Sequence, residues 1–392
     1  MFGRISVRLS VLAIAGFALL SGCGSGVKVS QTNAKNPTSV VGGASVPRVE
    51  FYFYLNSDSD ILGTRPDGTI DNQGEILYDQ LKSLATTEGF GLHIYLDRGQ
   101  AYRAGDPTDS ETYDRCAGEP AVKKLLGETD SVDPKYIADL VAKNCYADAK
   151  RFIILWSHGD GFRVQDDFDY NPGDHAFHIS TLLSAIPDGF AEAILFDSCA
   201  MADLEIAALV EKKAKWMVAS QYELPNIGIQ YAGLPASLAK SRDTVSILSG
   251  LRTDSEKAFA EIEMRAPLAL LDLSKIEAVR VAFIAAWAAA ATDRAKDYLA
   301  FRASVLRDRD ADLFYLFGAY SPASKAVLAA ALESGRGSLH FALPRTAGDL
   351  DEDLEGVAKA VPSVFRTWSE IFPNWSAYAQ LRSSTPPQGV SL

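Results

Sequence analysis

Residues 151–156 read Arg-Phe-Ile-Ile-Leu-Trp and residues 191–196 read Ala-Glu-Ala-Ile-Leu-Phe. Each run opens directly into small polar groups: Ser157-His158-Gly159-Asp160-Gly161 after the first, Asp197-Ser198-Cys199-Ala200-Met201 after the second. Short apolar runs rich in β-branched and aromatic residues, bounded by Gly, Ser and Asp, predict buried strands. In an open α/β sheet the residues just past strand carboxyl ends line the ligand-binding crevice. Two such strands, parallel and adjacent, bring a histidine and a cysteine together there, the composition of a thiol nucleophile with its proton-transfer partner. Taken singly, a cysteine behind an apolar run is most often inert packing, and a His-Gly pair is most often a turn. The same arrangement recurring 41 residues later, from His158 to Cys199, carries the reading. The amides around Gly159 and at Cys199, where the following helix is expected to begin, are candidates for an oxyanion hole. A helix N-terminus there would also favour the thiolate. Asp197, two residues before the cysteine, either orients the imidazole or faces the cleft as counter-ion for a basic side chain.

Outward from this pair the chain alternates strands and helices, the pattern of an α/β domain. Val49–Leu55 is a first strand, ending in the turn-forming cluster Asn56-Ser-Asp-Ser-Asp60. A helix over 72–87 precedes a strand at Leu92–Leu96. Residues 101–132 are polar and read as irregular, and Pro134–Cys145 reads as helix. The polar segment Asp160–His178 is long for a loop, so it is expected to cover the cleft or carry extra hairpins. A short helix holds Leu182–Ile186, and Met201–Lys213 is the helix after the cysteine. Trp216–Ser220 is the next strand, and Gln221–Tyr231 a loop able to line a groove. From Ala236 helices dominate, at 245–251, 254–261, 275–306 and 322–332, with strands at 268–273 and 339–343. The uninterrupted apolar run Val281–Ala291 predicts a helix packed on all sides.

Composition bounds the rest. The chain has 392 residues, 47% hydrophobic and 22% charged, enough for one large α/β core or two domains. Residues 1–22 form a secretory leader, with Arg4 and Arg8 ahead of the apolar Val11–Leu20. It ends in Leu20-Ser-Gly-Cys23, which resembles a bacterial lipobox and implies cleavage before Cys23 and lipidation of that cysteine. Gly24, not Asp, follows, so the expected address is the cell envelope, and the outer membrane in a Gram-negative cell. Residues 23–48 read as a flexible tether, 49–235 as the catalytic core, 236–382 as a helix-rich region packed on it, and 383–392 as a loose tail. The formal charge is −12, and losing Arg4 and Arg8 makes it more negative. That sign argues against nucleic acid as a partner and suits basic substrates. Beyond the leader no apolar run is long enough to span a bilayer. With Cys23 lipidated, Cys116 and Cys145 form a candidate disulfide in an oxidising compartment. Cys199 remains as the odd thiol. No cofactor and no zinc-type Cys/His spacing is evident. The aspartates from Asp58 to Asp71 lack the alternation of an EF-hand and read as a solvated loop, with calcium the lesser reading.

Trp156-Ser-His-Gly-Asp-Gly161 together with Phe196-Asp-Ser-Cys-Ala-Met201 resembles the clostripain family of cysteine peptidases, relatives of caspases, gingipains and legumain. The likeness extends through Tyr54–Asp60, Leu96–Arg98 and Ala219–Glu223, and weakly to Leu270–Ser274 and Asp312–Tyr315. It implies a caspase-like sandwich: a mostly parallel central sheet flanked by helices, with a helix-rich C-terminal part. It further implies a Cys199 nucleophile, a His158 proton-transfer partner, an oxyanion site using Gly159 and Cys199, and Asp197 as selector of Arg or Lys at P1. Glu223 is a weaker candidate to share the charge of that pocket. The implied partner is a protein or peptide with a basic P1 residue. Members are often matured by cleavage at a basic residue between histidine and cysteine. Here Arg163 alone lies there, beside the histidine, so self-processing is not expected. Two other classes fit the sequence: an inactive lipoprotein that binds basic peptides, and a structural lipoprotein in which Cys199 is core.

Overall fold

Alternation along the strands builds the fold. In a computed structural model, which describes residues 46–99, 108–159 and 179–290 and shorter stretches between 305 and 342, eight strands form one sheet. The strands are β1 (Val49–Asn56), β4 (Phe90–Asp97), β5 (Ser110–Cys116), β6 (Val122–Gly127), β7 (Lys150–Trp156), β8 (Ala191–Asp197), β9 (Ala214–Ser220) and β10 (Leu268–Asp272). Their order is β10-β9-β8-β7-β1-β4-β5-β6. β9, β8, β7, β1 and β4 run parallel, while β10 and the β5–β6 hairpin are antiparallel additions at the two edges.

Strands covered on both faces read as unbroken apolar runs, and the period of two then sends alternate residues to different layers. Phe51, Phe53, Phe152, Ile154, Trp156 and Leu195 pack against one helical layer. That layer comprises α1 (Gln73–Ser83), α5 (Leu234–Lys240) and α6 (Thr244–Glu261). Tyr52, Tyr54, Ile153, Leu155, Ile194 and Phe196 pack against the other. It holds α2 (Pro134–Val141), α3 (Ile179–Ser184), α4 (Leu204–Val210), α7 (Ile276–Ala290) and α8 (Pro322–Ala331). The result is an α/β sandwich with a helix-rich C-terminal region, consistent with a caspase-like fold. Phe51 stacks on Phe152 across β1 and β7 with ring centroids 4.8 Å apart. Burying one such ring contributes about 2–3 kcal/mol.

Several sequence expectations change. Residues 110–127 are a hairpin, not irregular chain, because β5 and β6 sit at an edge where polar side chains meet solvent. β2 (Leu62–Thr64) and β3 (Ile70–Asn72) form a second hairpin before α1. Residues 245–251 and 254–261 belong to one helix, α6, capped by the Asp243 side chain on the Ser246 N–H. The helix expected to reach Leu306 is described only as far as Ala290, and Val305–Arg307 is strand β11. β11, β12 (Asp310–Asp312) and β13 (His340–Ala342) make a small separate sheet. In α7, Val279, Ala282, Phe283 and Ala286 are buried but Val281 is 55% exposed, so that helix presents one face to the core and not its whole circumference. No helix among the described residues is long and apolar enough to cross a membrane. The leader, Cys23, residues 23–45 of the tether and the tail lie outside the described residues, as do Asp160–His178 with Arg163.

Cys116 at the end of β5 is bonded to Cys145, 29 residues on. The bridge ties the edge hairpin to the chain entering β7. Removing both sulfurs (C116A/C145A) frees that loop in the unfolded state and is expected to lower stability by about 3–4 kcal/mol. Denaturant melts of oxidised protein and the double variant measure this; equal midpoints would contradict it.

Candidate active site

Parallel pairing places the two candidate groups. β7 and β8 are neighbours with Trp156 opposite Asp197, so His158 and Cys199 each lie two residues beyond the last paired position. The loops touch through their backbones. A Cβ added at Gly159 would fall 2.4 Å from the Cys199 carbonyl oxygen and 3.1 Å from its nitrogen, so only glycine fits. Ser198 locks the turn from below by donating to the Leu155 carbonyl at 3.3 Å.

Cys199 is half-buried and the one free cysteine among the described residues. The next residue, Ala200, has φ 57°, a left-handed conformation costing roughly 1 kcal/mol or more for a residue with a Cβ. Two hydrogen bonds to the end of β9 and the loop after it hold it: Ala202 N donates to Ser220 O at 2.9 Å and Ala200 N to Tyr222 O at 3.0 Å. The helix expected to begin at Cys199 starts only at Leu204, capped by Asp203. The N-terminus of α4 therefore does not face the sulfur. Leu224 N donates to Sγ at 3.3 Å. Glu223, next to it, is exposed on the same loop.

Asp197 is buried, 3% exposed. Its Oδ1 accepts from Ile229 N at 2.8 Å and its Oδ2 from the Tyr231 hydroxyl at 3.1 Å. Gly228, at φ +60°, lets the loop close down; a Cβ there would fall 2.8 Å from Oδ1. Burial pushes the Asp197 carboxyl up to about 6, opposed by the Ile229 amide and the Tyr231 hydroxyl. The carboxylate therefore lies under the Gln221–Tyr231 loop and makes no hydrogen bond to the imidazole in this structure.

His158 is 31% exposed and its Nε2 lies 2.7 Å from Oδ1 of Asp60, in the loop after β1. In the sequence alone Asp60 reads as a turn residue. The same rule that singled out His158 and Cys199, a polar group beyond a strand's carboxyl end, applies to it once β1 is known to flank β7.

A second cysteine and histidine also meet. Cys145 Sγ is 3.7 Å from His93 Nε2, at the opposite, amino-terminal side of the sheet, where Glu50 accepts from Cys145 N at 2.8 Å. His93 Nδ1 is held by Asp114 at 2.9 Å. Glu50, His93 and Cys145 place ligand-type atoms within 4.8 Å of one another. The sulfur is bonded to Cys116, however, and offers neither a nucleophile nor the thiolate a metal would take. In the acidic loop, Asp71 pairs with Arg65 at 2.5 Å and Asp67 accepts from Thr69 N at 2.9 Å. Both carboxylates are committed to the β2–β3 hairpin.

Residues 110–314, just over half of the chain, match the model of the clostripain family, Peptidase_C11. No curated protein matches. Among solved structures, a secreted C11 cysteine protease from Bacteroides thetaiotaomicron in complex with an irreversible peptide inhibitor aligns with TM-score 0.59 and 16% identity, covering 84% of this chain and all of that one. An inactive zymogen C11 protease from Parabacteroides distasonis aligns with TM-score 0.56 and 14% identity, over 86% of this chain and 99% of the other. The secreted B. thetaiotaomicron protease called iotapain gives 0.52 and 12%, over 82% and 99%. At these identities the likeness is one of fold.

The Asp197 carboxyl has a pH signature. Its folded pKa, about 6, exceeds the ordinary 3.8, so folding favours the protonated form. That contribution is complete below about pH 4 and is lost as pH rises through 6, a difference of about 3 kcal/mol. Asp197→Asn keeps an acceptor for Ile229 N and removes the charge. It is expected to flatten the pH dependence of stability between 4 and 7 and to raise stability at pH 7 by about 2 kcal/mol. Denaturant melts across that range test it; the same slope in both proteins would contradict the assignment.

Proposed function

The chain belongs to the clostripain family, and from that premise we propose that it is a cysteine endopeptidase acting through Cys199 and His158 on bonds after Arg or Lys. The observation that carries the proposal is the contact of the two loops at Gly159, which sets a thiol outside any disulfide beside the histidine loop at the carboxyl edge of the sheet. Cys199 attacks the substrate carbonyl as thiolate, His158 gives a proton to the departing amine, and water then hydrolyses the thioester. The amides of Gly159 and Cys199 are the candidates to receive the oxyanion. Asp197 is the candidate floor of the P1 pocket. Its two acceptors each keep a lone pair beyond the bonds to Ile229 and Tyr231, which a guanidinium or ammonium can use. Glu223, exposed on the neighbouring loop, adds negative charge nearby.

Export and lipid attachment belong to the same reading. The leader and Leu20-Ser-Gly-Cys23 support an envelope protein anchored through Cys23, and two of the similar structures are of secreted proteases. The domain division at 48/49 and 235/236 follows from it: β1 through the Gln221–Tyr231 loop carry every proposed site residue.

The 3.7 Å approach of Cys145 to His93 favours a second assignment, which requires the disulfide to be opened. Hydrolysis of fluorogenic peptides with Arg, Lys or Ala at P1 separates the two. The protein is expected to prefer Arg and Lys, Cys199→Ala and His158→Ala to lose about a thousandfold or more, and C116A/C145A to retain turnover. Loss of activity with Cys145 and not with Cys199 would overturn the nucleophile, and preference for Ala would overturn the pocket.

A further inference from the structure

Resting on that peptidase reading, we propose that Asp60 completes the site as a positioning residue, holding the His158 imidazole in one tautomer and orientation. Three features support it.

The first is contact. Oδ1 of Asp60 lies 2.7 Å from Nε2 of His158, within hydrogen-bond range. A carboxylate accepts and cannot donate, so Nε2 carries the hydrogen and Nδ1 the lone pair. In the neutral ring Nδ1 is then the basic nitrogen, the one able to take the thiol proton, and the imidazolium so formed has a carboxylate partner already in place.

The second is placement. β4 lies on one side of β1 and β7 on the other, so the strand order reverses at β1. A crevice at the carboxyl ends opens at such a reversal. Asp60 rises from β1 and His158 from β7, one on each side of it, with Leu55 opposite Trp156 in the ladder below.

The third is that the loop is anchored. Asn72 donates through Nδ2 to the carbonyls of Ser57 and Ser59 at 2.7 and 3.0 Å while its Oδ1 caps α1 at Gly74 N. Ser57 N donates to Asp97 O at 3.0 Å. Asp60 thus follows directly on a segment tied to both α1 and β4.

The Asp60 side chain is 66% exposed, so water screens its charge and its effect is smaller than that of a buried triad aspartate. Among the described residues, titratable groups at this end of the sheet also include Asp58 after β1, Asp97 and Arg98 at the end of β4, Cys199 after β8, Asp197 buried beneath it with Tyr231, and Glu223 on the loop after β9. Asp60 is the group with a carboxylate oxygen at hydrogen-bond distance from the imidazole Nε2.

The test compares Asp60→Ala and Asp60→Asn with the unmodified protein. Asp60→Ala is expected to lower kcat about tenfold with KM and thermal midpoint unchanged. The alkaline limb of its pH profile should move down by about half to one pH unit. Asp60→Asn, which still accepts from Nε2, should recover most of the rate at the optimum and keep the shifted limb. Wild-type kcat and an unmoved limb in both variants would overturn the proposal. Nitrogen NMR of histidine-labelled protein, with His158 assigned from His158→Gln, reads the tautomer without turnover. The Nε2-protonated form should dominate in the unmodified protein and give way to a mixture in Asp60→Ala; an identical signal would overturn the role of Asp60. Background hydrolysis alone from the unmodified protein, equal to that of Cys199→Ala, would instead refute the peptidase reading.

Discussion

The pairing of β7 with β8, Trp156 against Asp197, is the constraint from which the rest of the site follows. Parallel neighbours are separated by a little under 5 Å, so groups at equal distance past the last pair emerge side by side. The register is fixed from both faces. Phe152, Ile154 and Trp156 fill one layer and Ile153 and Leu155 the other, so a slip of one residue would turn both sets to the wrong helices. Gly159 then sets how close the loops come, because its missing Cβ is what lets it rest on the Cys199 carbonyl. The core positions the chemistry, and little beyond the strand ends is needed to do so.

The two ends of the sheet divide their tasks. At the amino-terminal side, the Cys116–Cys145 bridge and the bonds that Cys145 N and Tyr146 N donate to Glu50 secure the hairpin and the approach to β7. Groups there are closed onto one another. At the carboxyl side the chain accepts cost: Ala200 in a left-handed conformation, and Asp197 buried against its preference for water. Features that destabilise a fold persist where the surroundings over-determine them, and they gather at functional sites. The Tyr222 and Ile229 backbone bonds are that over-determination, both supplied by the loop after β9.

Much of this was legible in the sequence because a strand buried on both faces announces itself as an apolar run. β1, β4, β7, β8 and β9 all do so, and the polar groups behind β7 and β8 stand out by contrast. The β5–β6 hairpin does not: Val122-Lys-Lys-Leu-Leu lies on an exposed edge, where nothing selects a continuous apolar pattern. The start of α4 was misplaced because Ala200-Met-Ala carries no helix-breaking residue. Its delay comes from bonds to Tyr222 and Ser220, more than 15 positions away in sequence. Asp60 was overlooked for a related reason. An acidic turn after a strand acquires meaning only from its neighbour, and that β7 lies beside β1 is a fact of topology that local pattern does not contain.

The central claim is that Cys199, and not the bridged Cys145, is the thiol that meets a peptide carbonyl. It is tested most directly by mass-spectrometric mapping of the protein after reaction with a peptidyl chloromethyl ketone bearing Arg at P1. One adduct per chain, on Cys199, is predicted. An adduct on Cys145, or no adduct at all, would contradict it.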